Sequence, residues 1–95
     1  MAYNKLSNYK TVWTETDKGG CVIYTSTAIV TWTNQTIRLK SDGWESVTTK
    51  RKMNQASHQF CLNYSVFQKA FQWFVTKPNG ETVPFLDGMT ISREV

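Results

Sequence analysis

One stretch with helical periodicity, residues 47–60, interrupts a chain that otherwise consists of short β-prone segments separated by turn signals. Its apolar residues recur at roughly the spacing of one helix face: Val47, Met53, Ala56 and Phe60. Its polar residues are expected on the solvent side: Arg51, Asn54, Gln55 and His58. Ser46 or Thr48 can cap the start, because a hydroxyl there accepts a bond from a free backbone N–H. The pattern predicts one amphipathic helix of three to four turns.

The segments before this helix are dense in β-branched and aromatic residues, which is typical of strands. They cover residues 9–15, 21–26, 27–33 and 36–40. Turn signals separate them: Asp17–Gly20 provides positive-φ residues for a hairpin, Asn34-Gln35 suits a tight turn, and Ser41–Gly43 ends the last segment.

Strands are predicted again after the helix, at residues 64–69 and 71–76, followed by a turn at Lys77–Gly80. Residues 81–86 contain Pro84, which lacks a backbone N–H, so this segment is expected at a sheet edge. Asp87-Gly88 predicts another turn before a last short strand at 89–93. Trp32 and Trp73 are expected in the core.

The order of elements, strands then one helix then strands, predicts an α+β fold. We expect a small antiparallel sheet of about six to seven short strands, with the central helix packed on one of its faces. The chain has 95 residues, of which 40% are hydrophobic, and this is enough for a single domain spanning residues 1–95. Residues 1–8 are polar and are a candidate disordered terminus.

Several classes of protein are disfavoured by the same sequence. It contains no apolar run long enough to span a membrane and no apolar stretch typical of a secretory signal. Its two cysteines are too few for a disulfide scaffold, and with its single histidine they are too few for a zinc site. No carboxylate is spaced to orient His58 as a base, and Cys61 is expected to be a buried structural thiol. We therefore expect a protein that is not an enzyme and uses no metal or cofactor.

Positive charge is concentrated in residues 38–52, which hold five of the 11 Lys and Arg residues and two of the seven Asp and Glu residues. Cations, hydroxyls and a tryptophan there cluster near the predicted helix N-terminus, where backbone N–H groups and the helix dipole favour anions. The candidate anion-binding residues are Arg38, Lys40, Trp44, Thr48, Thr49, Lys50, Arg51 and Lys52. The alternative is that this cluster is a solvated helix face with no ligand.

The chain resembles a family of small, uncharacterised proteins and domains encoded by bacteriophages. The resemblance is carried by the block Asp42–Gln55, by the aliphatic and Trp strand Ile29–Trp32, by Val66–Lys69 and Trp73–Val75, and by Pro84–Met89. It implies a phage gene product, and it brings no activity with it. The two cysteines, interpreted as reduced thiols, favour a cytosolic compartment, which for a phage protein is the host cytoplasm.

Three functions follow as hypotheses. The first is a non-enzymatic accessory protein for host takeover or counter-defence that binds a phosphate-bearing ligand, either nucleic acid or a nucleotide signal. The second is an inhibitor that binds a host or defence protein, for which the aromatic content and the edge segment 81–86 provide a surface. The third is a structural or self-assembling phage protein, which would form a homo-oligomer.

Overall fold

The computed structural model describes residues 10–43 and 46–95, and these contain eight strands and one helix. In chain order the elements are β1 (Thr11–Thr16), β2 (Gly19–Tyr24), β3 (Thr27–Thr33), β4 (Thr36–Leu39), α1 (Val47–Gln59), β5 (Ser65–Lys69), β6 (Gln72–Thr76), β7 (Thr82–Pro84) and β8 (Met89–Ser92). The candidate disordered segment 1–8 lies outside the described residues.

The first four strands form an antiparallel meander, and β8 completes a five-stranded sheet in the order β1-β2-β3-β4-β8. Aliphatic residues pair across the strands on the inner face, where Val22 lies opposite Val30 and Ile37 lies opposite Ile91. All four are buried, because alternate residues of each strand point to the same side. This sheet is one wall of the core.

The strands after the helix form a separate three-stranded antiparallel sheet in the order β5-β6-β7. Val66 pairs with Val75 on its buried face, and Trp73 packs against Phe85 with ring centroids 5.4 Å apart. Pro84 ends the three-residue edge strand β7, as its missing N–H predicts. The turn predicted at residues 77–80 is present, with Gly80 at a φ of 92°.

Helix α1 contacts strands of both sheets, namely β2 and β3 on one side and β5 on the other. Ser46 is its N-cap, as predicted, and its Oγ accepts the Thr49 N–H at 3.2 Å. The prediction that Asn54 and Gln55 face solvent is wrong, because Asn54 is half-buried and Gln55 is 6% exposed. A helix that contacts two sheets buries more than one stripe of residues.

The helix ends in a turn that buries Phe60 and Leu62 and exposes Cys61 between them. The Leu62 N–H bonds to the Ser57 carbonyl at 2.9 Å, and Cys61 has a φ of 55°. This is the hydrogen bonding of a helix end closed by one residue in the left-handed region. The prediction of a buried Cys61 is therefore wrong, since the reversal of the chain turns its side chain outward.

The two predicted core tryptophans are both buried, at 5% exposure for Trp32 and 4% for Trp73. Trp32 stacks on Phe60 with ring centroids 4.6 Å apart, which joins the five-stranded sheet to the end of α1. The predicted α+β class, with antiparallel strands around one helix, is thus confirmed. The eight strands are divided between two sheets, whereas the sequence pattern predicts one sheet of about six to seven strands.

Candidate ligand-binding pocket

A pocket of about 400 Å³ lies between the N-terminus of α1 and the β2–β3 hairpin. This volume is within the range of small-molecule sites in proteins. Among the described residues, seven of the eight that line the pocket carry a hydroxyl group, and the eighth is Ile29. The hydroxyl-bearing residues are Tyr24, Thr25, Ser26, Thr27, Ser41, Ser46 and Thr49.

The β2–β3 turn forms one wall of this pocket. Thr25 adopts a φ of 58°, and its N–H donates to the Lys10 carbonyl at 2.8 Å, which ties the turn to the residue preceding β1. Its hydroxyl donates to the Tyr24 carbonyl at 2.6 Å. The backbone of this wall is therefore held by bonds that do not involve a ligand.

The first turn of α1 forms the opposite wall. The Ser46 and Thr49 hydroxyl oxygens are 3.1 Å apart, and both residues line the pocket. Residues 47–50 contain no Asp or Glu, so no carboxylate in the first turn offsets the positive end of the helix dipole. This end of the pocket therefore favours a negatively charged group.

Ser41 lines the pocket from the end of β4 and is 1% exposed. Within residues 10–43 and 46–95, no partner lies within hydrogen-bonding distance of its Oγ. A buried hydroxyl without a partner costs about 1–3 kcal/mol, which is why such groups are rare in folded proteins. Ser41 thus brings a buried hydroxyl with an unused donor and acceptor to a segment that borders the cavity.

Asp87, from the connection between β7 and β8, holds the segment that carries Ser41. Its Oδ1 accepts the N–H groups of Ser41 at 2.8 Å and Asp42 at 3.2 Å, and its Oδ2 accepts that of Gly43 at 3.1 Å. Partial burial alone would raise the pKa of Asp87, but the three backbone donors and the positive charge of Lys40 outweigh it and lower the pKa.

Lys52 lies on the same face of α1 as Thr49, one turn further from the helix N-terminus. It is 2% exposed, and its Nζ lies over the ring of Tyr24, 5.4 Å from the ring centroid. Burial lowers the pKa of the Lys52 ammonium group. Since Tyr24 lines the pocket, this cation lies directly behind the pocket wall.

The structure does not bring the predicted cations together. Lys50, Arg51 and Lys52 are consecutive on the helix, so their side chains leave it about 100° apart, and they are half-buried, exposed and buried respectively. Arg38 is exposed between the buried Ile37 and Leu39, which places it on the sheet face away from the core. Lys40 is half-buried and acts on Asp87.

The predicted hydroxyl-bearing residues divide in the same way. Thr49 is buried and lines the pocket, whereas Thr48 is half-buried and is not among the lining residues. Trp44, the predicted stacking residue, lies outside the described residues. Of the eight predicted positions, Thr49 lines the pocket and Lys52 lies behind its wall.

Sequence reasoning missed the β2–β3 turn, Ser41 and Asp87. The Asp87-Gly88 pair was recognised as a turn, and the turn is present, but turn chemistry does not reveal that the carboxylate reaches a segment 44–46 residues earlier in the chain. The one sequence feature that points to this pocket is the run Thr25–Thr27, three consecutive hydroxyl-bearing residues at the β2–β3 turn.

The described residues contain no group of three or more His, Cys, Asp or Glu side chains arranged to hold a metal ion. In the same part of the chain, no helix is both long enough and apolar enough to span a membrane.

The fold and the pocket define a small α+β domain, and comparison with known families shows that it is phage-encoded. Residues 2–92 match the family model described as Kyanoviridae Gp96 protein, and the chain belongs to this family. The resemblance to small bacteriophage proteins is thereby confirmed at the level of a phage protein family. No curated protein matches the chain, and no solved structure matches it.

Proposed function

We propose that this phage protein is a non-enzymatic accessory protein that binds a small phosphate-bearing ligand, such as a nucleotide, in the pocket lined by hydroxyl-bearing residues. The observation that carries this proposal is Ser41, a pocket-lining residue whose buried Oγ has no partner among the described residues. A phosphate oxygen could accept a hydrogen bond from this hydroxyl and so satisfy it.

The charge around the pocket supports an anionic ligand. The N-terminus of a 13-residue helix without first-turn carboxylates lies on one side, and the buried Lys52 ammonium group lies behind Tyr24. Both favour negative charge, and both act more strongly where water is partly excluded. Hydroxyl groups from the other residues could bond to phosphate or sugar oxygens.

The arrangement of cations favours a small ligand over nucleic acid. Proteins that bind a nucleic-acid backbone present several cations along one surface. Here Arg38 lies on the outer sheet face, while Lys50, Arg51 and Lys52 diverge around the helix. Sequestration of a nucleotide signal in the host cytoplasm would suit a role in host takeover or counter-defence.

Binding can be tested with the four ribonucleoside monophosphates, each compared with its nucleoside. We expect at least one monophosphate to raise the melting temperature by several degrees, since a ligand that binds only the folded state stabilises it. The matching nucleoside should have a much smaller effect. Equal shifts for nucleoside and monophosphate, or no shift with any of them, would contradict the proposal.

Two neighbouring lysines provide a matched pair of variants. Lys52→Met and Lys50→Met remove the same charge from the same helix, but Lys52 is behind the pocket wall and Lys50 is not among the lining residues. We expect Lys52→Met to weaken monophosphate binding about tenfold, or ~1.4 kcal/mol. Lys50→Met should change it less than twofold, and equal effects would show that only overall charge matters.

A second candidate function is direct inhibition of a host or defence protein, and the β5–β6 hairpin favours it. Its two turn residues have positive φ angles, 52° at Ala70 and 67° at Phe71. Left-handed backbone in a bulky residue costs about 1–2 kcal/mol, and Phe71 gains no packing in return because it is 96% exposed. An exposed aromatic side chain at a tip is suited to insertion into an apolar pocket of a partner protein.

This candidate function predicts a nuclease-resistant complex that depends on Phe71. Tagged wild-type protein and Ser41→Ala should both retain the same host protein, whereas Phe71→Gly should lose it. The purified pair should then form a complex of defined stoichiometry. Retention by Phe71→Gly, or failure of the purified proteins to associate, would contradict it.

A further inference from the structure

We propose that Asp87 is a positioning residue that keeps Ser41 in the wall of the pocket and makes ligand binding dependent on its negative charge. This inference rests on the proposed function, because it assigns a role to Asp87 in the same site. Asp87 itself is not among the residues that line the pocket.

The Asp87 carboxylate fixes the backbone of residues 41–43 through three hydrogen bonds. The carboxylate accepts three consecutive backbone N–H groups, at 2.8, 3.2 and 3.1 Å, from Ser41, Asp42 and Gly43. Consecutive N–H groups that converge in this way form a concave site for an anion, and here the protein supplies the anion itself. The backbone of residues 41–43 is therefore fixed relative to the β7–β8 connection.

Residues 41–43 lie beside the pocket, so their position affects its wall. Residues 41–43 belong to the connection between β4 and α1, and Ser41 and Ser46, which lie near the two ends of this connection, both line the pocket. Loss of the three bonds would release the end of the connection that carries the Ser41 hydroxyl. A change at Asp87 can therefore alter the pocket without a direct contact to the ligand.

Other bonds keep this effect local. The Gly88 N–H donates to the Leu39 carbonyl at 2.9 Å, and the Met89 N–H donates to the Leu86 carbonyl at 2.9 Å. Neither bond uses the Asp87 side chain, and β8 remains paired with β4 from Leu39 to Thr36. Removal of the carboxylate should therefore loosen residues 41–43 and leave the turn and the sheet in place.

The charged groups around Asp87 are mostly favourable to its ionised form. Lys40 acts on it electrostatically, and the Arg38 guanidinium lies near the adjacent Gly88, 3.7 Å from the position of a Cβ there. Asp42, whose N–H is one of the three donors, carries the one like charge within residues 41–43. The negative charge of Asp87 is thus maintained down to acidic pH, and protonation would weaken all three bonds.

The test compares Asp87→Asn with Glu81→Gln, a loss of the same charge at a carboxylate that pairs with Lys77 at 2.7 Å in the β6–β7 turn. The first measurement is amide hydrogen exchange of residues 41–43 by NMR without ligand. The second is the affinity for inorganic phosphate and for adenosine monophosphate. A third measurement is the pH dependence of the wild-type affinity.

We expect Asp87→Asn to speed exchange at residues 41–43 at least tenfold and to weaken binding of the phosphate probes about tenfold, with the melting temperature lowered by only a few degrees. Wild-type affinity for inorganic phosphate should fall as the pH drops through the lowered folded-state pKa of Asp87, and Asp87→Asn should show a smaller fall over the same range. Glu81→Gln should change neither exchange nor affinity.

Unchanged exchange at residues 41–43 in Asp87→Asn would overturn the proposed role, as would faster exchange with an affinity within twofold of the wild type. The two proposals fail in different ways. If the wild type binds neither probe nor any of the other nucleoside monophosphates, the proposed function fails, whatever the exchange shows.

Discussion

Asn54 on α1 forms two hydrogen bonds with the backbone of a single residue, Val66 in β5. Its Oδ1 accepts the Val66 N–H, and its Nδ2 donates to the Val66 carbonyl, both at 2.8 Å. The side chain thereby bonds to this edge strand as a neighbouring strand would. Because β5 belongs to the three-stranded sheet, this pair of bonds fixes that sheet to the helix.

We expect Asn54→Ala to lower the free energy of unfolding by about 2 kcal/mol, since it removes two hydrogen bonds and leaves two backbone groups in a partly buried place. Asn54→Asp should also destabilise the protein, because a carboxylate oxygen would then face the Val66 carbonyl. Urea titration followed by circular dichroism measures both. Gln68→Ala, at an exposed position near the end of β5, is the control and should have little effect.

Gly20 lies under the ring of Trp32. A Cβ at Gly20 would be 2.6 Å from Trp32 Cζ2 and 2.3 Å from the Thr14 carbonyl oxygen, so an alanine cannot fit without movement of the β1–β2 pair. Gly20→Ala should lower the free energy of unfolding by about 2–3 kcal/mol. Thr31→Ala, at an exposed position of β3, is the comparison, and similar losses in both would exclude a specific clash.

Ser41 and Ser57 are both buried serines, but they differ in their bonds. The Ser57 hydroxyl donates to the Tyr64 carbonyl at 2.7 Å and accepts the Tyr64 N–H at 3.1 Å, whereas the Ser41 hydroxyl has no partner among the described residues. Ser57→Ala should therefore lose about 1–3 kcal/mol of stability. Ser41→Ala should be neutral or stabilising, and it should weaken binding of nucleoside monophosphates.

Thermal denaturation of the two variants, with and without a bound monophosphate, checks this contrast. A large loss of stability in ligand-free Ser41→Ala would mean that the hydroxyl already has a partner in the folded protein. Unchanged binding of the monophosphate to Ser41→Ala would contradict the placement of the Ser41 hydroxyl in the binding site.

Acid stability should depend on Asp87. Its pKa is lowered in the folded protein, so its contribution is fully present above the ordinary aspartate pKa of about 3.9 and is lost as the pH falls through the lower folded-state value. At pH 7, Asp87→Asn should cost about 1 kcal/mol, a modest value because the residue is exposed. Urea titrations at pH 7 and pH 3 measure the difference, which should be smaller at pH 3.

Phe71→Gly should stabilise the protein by about 0.5–1 kcal/mol, because glycine adopts a positive φ without the cost borne by phenylalanine, and this gain exceeds the added freedom of the unfolded chain. Phe71 is 96% exposed, so little packing is lost. Val12→Gly is the matched control, since Val12 is an exposed apolar residue of a regular strand and should lose stability. Melting curves of both variants distinguish the two outcomes.

The sequence was most informative where local chemistry decides the structure. The Ser46 cap, the turn at residues 77–80 and the edge position of Pro84 each depend on a few neighbouring residues. In each case the side chain or the fixed φ angle restricts the backbone directly. These features could be predicted without knowledge of the fold.

The division into two sheets could not be predicted in the same way, because strand patterns do not specify which strands pair. β8 follows β7 in the chain but pairs with β4, and this choice depends on long-range packing. The second sheet also covers part of α1, which is why Asn54 bonds to Val66 and does not face solvent.

The candidate site also depends on long-range packing, so the sequence predicts only part of it. The sequence drew attention to consecutive cations, but consecutive helical residues diverge, and Lys52 alone of the three is buried. Ser41, Tyr24 and Asp87 meet around the start of α1 from separate parts of the chain, and no motif joins them. The predicted helix N-terminus does border this pocket, through Ser46 and Thr49.

The pairing of β4 with β8 sets an expected order of events in folding. Strands β1 to β4 are sequential hairpins, so their contacts close only short loops and can form early. β8 can join only after residues 40–88 have been brought back beside β4, which includes the helix and the second sheet. We therefore expect the meander to form in the rate-limiting transition state and the β4–β8 seam to close late, so that substitutions at Ile91 mainly accelerate unfolding.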